Sequence, residues 1–390
     1  MRSAIALSTI AFSVVVLLLA GGFVEWIFWA TREAAIQNGL GHVQIVKPGY
    51  LDSGSANPGR YLLPADSPEL RAIESAPGVA AVAPRLNFSG LVSRGDTTLS
   101  FLGEGVDPAR ESRVSRVLRI SKGEGLSAAA PDGVILGEGL ARNLEANIGD
   151  RIVLLVTASS GGVSAVEATV RGLFVTEAKA YDDTALRTPI DLARRLLKTN
   201  GAHVWVVALD RTEDTDAFLA RFRGRLEAAG LQAVPWYDVS DFYLKTVALL
   251  GSQMDAVRLM IALIVLLGIS NTLVMNVLER ASEIGTLMAM GARRSRVLRL
   301  FVGEGLLLGL IGGGAGLAIA VGAAWIVSIV GIPMPPPPGR SAGYSAQILL
   351  TWPLAIGGFA LVAGTTVLAS LYPAWKASRL VIVDALRRNR

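Results

Sequence analysis

Four stretches of the chain lose nearly all their polar positions. Between the first two lies a long region where apolar and polar residues change over at short range. The apolar runs cover Ala4 to about Phe23, about Leu259 to Val277, about Leu300 to Ile329 and about Leu350 to Leu371. Each is close to the ~20 residues that a helix needs to cross a ~30 Å hydrocarbon core. In lipid every backbone polar group must be bonded within its own segment, so helix is the expected form. The predicted fold class is an integral membrane α-helical protein with four transmembrane helices and a large α+β domain, residues 31–248, after the first of them.

The inserted region gives local signals for both helix and strand. Val43–Val46, Val134–Ile135, Arg151–Val156, Ala165–Val175 and His203–Leu209 read as strands, several of them rich in β-branched residues. Ser67–Ser75 reads as a helix with Ser67 as its N-cap and Glu69 in the first turn. Glu138–Asn147 and Thr215–Ala229 read as further helices. A stretch rich in Gly, Ala and Pro, Ser121–Asp132, is the expected division between two subdomains.

Charge orients the spans. The chain has 390 residues, 52% apolar and 18% charged, with a net charge of +5. The excess suggests no nucleic-acid partner, because much of it flanks apolar runs. Arg280, Arg293, Arg294, Arg296 and Arg299 lie between spans two and three, and Lys376, Arg379, Arg387, Arg388 and Arg390 follow span four. The loop between spans three and four holds only Arg340. The positive-inside rule then makes both termini and residues 278–299 cytoplasmic and residues 31–248 extracytoplasmic. The expected organisation is residues 1–30 as transmembrane helix one and residues 249–390 as a membrane core. Within that core the outer loop is 330–349 and the tail 372–390. Trp26, Trp29, Trp352 and Trp375 fall where an aromatic belt belongs. Arg2 before an apolar run also fits a signal peptide, but the run is long for one and no clear small-x-small cleavage site follows, so a retained anchor is expected.

Little in the chain points to catalysis. It contains no cysteine, which excludes disulfides and thiolate chemistry. His42 and His203 each lack a second ligand at metal spacing and are expected to be structural. Asp182 and Asp183 are expected in a solvated turn. Neither a G-x-S-x-G elbow nor a G-x-x-x-x-G-K-[ST] loop occurs in these 390 residues, so ATP chemistry is expected from a separate subunit. No cofactor or metal is implied. Ile332–Gly339, IPMPPPPG, reads as a stiff polyproline II spacer or a docking surface for an extracytoplasmic partner.

The most specific pattern follows the second span. Residues 271–320 contain E-R-x-x-E-I-G, then A-x-G-A, then a glutamate in the next span: Glu279, Arg280, Glu283, Ile284, Gly285, Ala289, Gly291, Ala292 and Glu304. This pattern resembles FtsX-like permeases of the MacB-type ABC transporters. The ending YPAWKASRLVIVDALR, with Pro373, Ala374, Ala377 and Ala385–Arg387, is similar to the family's. Residues 133–154 resemble its outer domains, and residues 234–243 resemble lipoprotein-releasing permeases. Relatives carry a basic amphipathic segment before the first span, where here only Met1, Arg2 and Ser3 stand. Either the start lies upstream or this branch lacks that elbow. The resemblance implies a permease working as a homo- or heterodimer with a cytoplasmic ABC ATPase dimer. It implies mechanotransmission to the outer domain, with a lipoprotein or other amphiphile as cargo. The alternative within the family is an FtsX-like regulator of a cell-wall hydrolase. A membrane-anchored sensor without an ATPase fits the E-R-x-x-E-I-G loop poorly.

The residues after span two also support a physical reading. Ile284, Leu287 and Met288 recur at i, i+3, i+4, which predicts a short amphipathic helix. The resemblance makes Glu279, Arg280, Glu283, Ile284, Gly285, Leu287, Met288 and Gly291 the ATPase-coupling residues, with Ile284 and Met288 entering one groove and Glu283 at its rim. A helix lying on membrane lipid is the bland reading. Gly305, Gly309 and Gly313 give span three a smooth face for helix packing or a dimer seam, and Gly312 and Gly316 form a second pair. Glu304 is expected about one turn inside that span, near Arg296 or Arg299.

Overall fold

The computed structural model describes residues 2–54, 58–115, 118–159, 161–176, 178–290, 292–335 and 344–379. Two compact units emerge: one holds the spanning helices, the other residues 30–244. Pro336–Gly339 of the proline-rich loop, Arg340, Gly291 and Ala385–Arg390 lie outside the described residues.

Among the described residues, four helices are long and apolar enough to cross a membrane. They run Arg2–Ala35, Asp241–Glu279, Arg294–Val330 and Trp352–Ser378. The second contains 39 residues and is therefore about 58 Å long, nearly twice the ~30 Å core. Its apolar stretch is the C-terminal half of a longer rod. The third begins at Arg294, so Glu304 lies nearly three turns into the helix and about one turn past Leu300, where its apolar stretch begins. Glu304 is half-buried there and pairs with neither arginine among the described residues.

Packing within this unit follows side-chain size. Ala6, Ile10, Val14 and Leu17 of the first span meet Ile261, Val265, Ile269 and Leu273 of the second, with Val362 and Ala369 of the fourth. The third span uses two glycine rows for two neighbours. A Cβ on Gly312 or Gly316 would lie 2.9 Å from Ile10 Cβ or 2.6 Å from the Ala11 carbonyl, on the first span. A Cβ on Gly305, Gly309 or Gly313 would lie 2.5 Å from Ser370 Cβ, 3.4 Å from Ala363 Cα or 2.9 Å from the Phe359 ring, on the fourth. The Gly305 row is thus occupied within one chain. Trp26 is buried in a stack with Phe23, unlike the exposed belt residues Trp29, Trp352 and Trp375.

Among the described residues, the other unit has ten strands: β1 (Val43–Val46), β2 (Val79–Arg94), β3 (Thr97–Val106), β4 (Arg119–Gly123), β5 (Gly133–Gly137), β6 (Arg151–Thr157), β7 (Val163–Val175), β8 (Ala185–Pro189), β9 (Val204–Leu209) and β10 (Gln232–Pro235). Six of them close on themselves in the order β2, β3, β8, β5, β7, β6 and back to β2. The ring is a barrel filled by Leu86, Phe88, Phe101, Leu136, Ile152 and Leu154, with the helix Ile190–Leu197 packed beside it. That helix comes so near β3 that a Cβ on Gly105 would lie 2.4 Å from Ala193. The β2–β3 hairpin turns at Gly95, whose φ of +57 suits the first position of a two-residue II′ loop.

The first half of β2 leaves the barrel and joins β9, β1 and β10 in a sandwich. One face carries Leu70 and Ile73 of the helix Pro68–Glu74, with Phe218, Phe222 and Leu226 of the helix Thr215–Ala228. Val114 of the helix Pro108–Val114 packs on the other. Ser67 does cap its helix, its Oγ accepting from Leu70 N at 3.1 Å. The division expected at Ser121–Asp132 is not found: β4 in that stretch pairs with barrel strand β7, and the two lobes share β2 instead.

Candidate coupling surface and buried charge network

The second span ends at Glu279, Arg280 turns the chain, and the helix Ala281–Ala289 follows. The helix has two unlike faces. Ala281, Ile284 and Gly285 are buried. Ile284 lies with Val277, Val297, Phe301, Ala374 and Ala377 at the ends of three spans, and Met288 is half-buried against the same cluster. The opposite face exposes Glu283, Leu287 and Met290, the last two 43% and 73% exposed. Glu279 and Arg280 are exposed beside it. The helical period of the motif is as expected, but the face is not: Ile284 fastens the helix to its own chain instead of projecting from it. Met290, which the motif does not include, is the most exposed apolar side chain here.

A second group could not be assembled from the sequence. Arg85 of β2 donates from Nε and Nη2 to the Glu111 carboxylate at 3.1 and 2.6 Å, and from Nη1 to the Gly39 carbonyl. Arg187 of β8 donates to the same carboxylate at 3.4 Å and pairs with Glu104 of β3 at 2.7 Å. Arg85, Glu111 and Arg187 are buried. Two cations and two anions thus cancel where the barrel, the helix Pro108–Val114 and the turn at Gly39 meet. Burial alone would raise the Glu104 carboxyl, but Arg187 and Arg85 outweigh it and hold the group below the usual carboxylate range. Burial, with Glu104 adding to it, pushes the Tyr181 phenol up to about 12.

His42, His203 and Asp182 are each held by hydrogen bonds that the spacing did not show. His42 Nδ1 accepts from Leu209 N at 3.0 Å, so its neutral form carries the proton on Nε2, 3.2 Å from Thr212 Oγ1. Thr212 Oγ1 donates on to Glu33 at 3.3 Å. His42 O accepts from Trp236 N at 3.0 Å. Burial lowers the imidazole pKa below 6.5, although Glu33 opposes the shift. His203 Nδ1 accepts from Asn87 N at 3.1 Å, and its ring stacks on Tyr50. Asp182 is buried rather than solvated and accepts from Thr176 N and Oγ1, the latter at 2.7 Å. Among the described residues no three His, Cys, Asp or Glu side chains gather as metal ligands would.

Four spans, a large barrel-and-sandwich domain after the first, and a two-faced helix after the second define a membrane permease architecture. The profile described as the FtsX-like permease C-terminal matches residues 256–382, and that of the MacB-like periplasmic core domain matches residues 3–225. The chain belongs to the MacB/FtsX-like ABC transporter permease family. It is 35% identical to the macrolide export ATP-binding/permease protein MacB of Syntrophobacter fumaroxidans over 37% of this chain and 19% of that one. It is 23% identical to the lipoprotein-releasing system transmembrane protein LolE of Haemophilus influenzae over 64% of this chain and 61% of that one. The chain thus spans about a fifth of the first relative's length and three fifths of the second's. The periplasmic region of MacB from Actinobacillus actinomycetemcomitans aligns with a TM-score of 0.39 at 12% identity, covering 53% of this chain and 94% of that one.

Proposed function

We propose that this chain is the permease subunit of an ABC transporter whose ATPase is a separate polypeptide. Its barrel-and-sandwich domain is extracytoplasmic, and both termini and the helix Ala281–Ala289 are cytoplasmic. Two copies, or this chain and a homologue, assemble with an ATPase dimer. Nucleotide-driven closure of the ATPases moves the outer domains, and the cargo is a lipoprotein or another amphiphile. The observation that carries this reading is the short helix with one face locked to three spans and the other presenting Leu287 and Met290 beside Glu283, Glu279 and Arg280. A helix so fastened transmits a push on its exposed face directly to the spans. Ile284, Gly285 and Met288 then act by positioning, while Leu287, Met290 and the three charges touch the ATPase.

The test is co-purification of the ATPase with Leu287→Asp and Met290→Asp variants. Loss of a buried interface anchor costs about 2 kcal/mol, or roughly 30-fold in affinity. Both variants should insert normally, because neither position lies within a span, and both should lose ATPase binding and coupled hydrolysis. Arg294→Ala should behave as wild type. Full binding by both Asp variants would remove the main support for the assignment.

A further inference from the structure

β2 has a neighbour on each side along its second half but on one side only along its first. From Val79 to Pro84 it pairs with β9 alone, and β3 begins at the Arg85–Val106 pair. The Arg85 carbonyl accepts from His203 N at 2.8 Å, which turns Arg85 toward the β9 side. Strand alternation then turns the backbone groups of Pro84 and Val82 to the open edge. Two details agree with this. Pro84 has no N–H to leave unbonded there, and the Val82 carbonyl reaches Arg110 Nη1 at 3.4 Å. Beside the edge lies a groove of about 320 Å³ over residues 79–82, with Glu74 on one wall and Ala109, Arg110 and Arg113 on the other. Arg110 is neutralised by Glu74 and Asp107. Arg113 is exposed and has no ion pair among the described residues.

We propose that this edge is a docking site for an extended acidic segment of a partner protein, which adds to β2 as a further strand and sets a carboxylate against Arg113. Main-chain groups along a groove fit an extended chain rather than a helix, and main-chain pairing, with the incoming strand displacing Arg110 from the Val82 carbonyl, supplies the affinity in such additions. With Arg110 neutralised by Glu74 and Asp107, Arg113 is the charge that selects an acid, because a carboxylate pairs with a guanidinium through charge-assisted hydrogen bonds. The small side chains Ala80, Ala81 and Ala109 leave room for the incoming backbone.

The probe is a set of short peptides of alternating Thr and Val carrying Glu, Gln or Lys at the centre, added to the full chain in detergent. Binding is read by fluorescence polarisation, and its place by amide exchange over residues 79–83. The Glu peptide should bind most tightly and slow exchange at Val82, and the Lys peptide should bind least. In an Arg113→Glu variant, a surface change that leaves the core intact, the order should invert, with the Glu peptide losing about tenfold or more. Absence of binding, an order unchanged by Arg113→Glu, or protection at Val82 arising from self-association without peptide would each overturn the proposal.

Discussion

Replacing Glu111 by Gln tests the buried network most directly. The Glu111 carboxylate receives three guanidinium bonds, at 3.1 and 2.6 Å from Arg85 and 3.4 Å from Arg187. The cluster of Arg85, Arg187, Glu104 and Glu111 is neutral as it stands. Gln keeps the shape but leaves a buried net charge of +1. Removing one partner of a buried pair costs about 3–5 kcal/mol, because the other charge is left without compensation. For a domain of this size each kcal/mol lowers Tm by about 2–4 °C, so the expected drop is about 6–20 °C. The assay is thermal unfolding of the full chain, followed by hydrogen exchange in β2, β3 and β8 so that the spans do not contribute. Glu167→Gln is the control: its bond to Arg151, at 3.4 Å, is exposed on both sides, and such pairs contribute about 0–1 kcal/mol. A double change, Arg85→Met with Glu111→Leu, leaves Arg187 and Glu104 as a neutral pair and should recover most of the loss. If Glu111→Gln is no worse than Glu167→Gln, or the double change is worse than the single one, the charge-balance argument is wrong.

Two further outcomes follow from local geometry. The folded joint around His42 favours the neutral imidazole, so its contribution is complete above pH 6.5 and falls away as pH drops through the lowered folded value; exchange at the Leu209 amide, corrected for intrinsic rates, should therefore rise on acidification in wild type and stay flat in His42→Asn. Gly316→Ala should loosen the first and third spans at a cost of about 1–3 kcal/mol, whereas Gly314→Ala, whose Cβ meets nothing within 4 Å, should leave melting in detergent unchanged.

Much of this fold was legible because its causes are local. Apolar length marked the spans, and Ser67 announced a helix that it does cap. The β2–β3 hairpin was missed because Val79–Arg94 is broken by alanines, Pro84 and Gly90, which weaken a strand signal; Pro84 is tolerated because it faces an open edge. Periodicity found the helix at Ile284 and could not say which face is covered, since that depends on Phe301 and Ala374 arriving from other spans. The charge network joins positions 85, 104, 111 and 187, and no spacing rule connects them. One sign was present: Arg85 beside Leu86 on a strand, a charge on the face opposite a core residue.

The strand shared by the two lobes makes the domain a lever. β2 is 16 residues long, about 50 Å at ~3.3 Å per residue. Its sandwich end is the short arm and its barrel end the long one, and Arg85, clamped by Glu111 and tied to Gly39, sits where a fulcrum would. A rotation of about 5° about that point would carry the far end of the hairpin by about 3 Å, the length from Arg85 to Arg94 being roughly 30 Å at the same rise. Small displacements of the sandwich end, about 20 Å from Arg85, would thus emerge about one and a half times larger at the barrel tip.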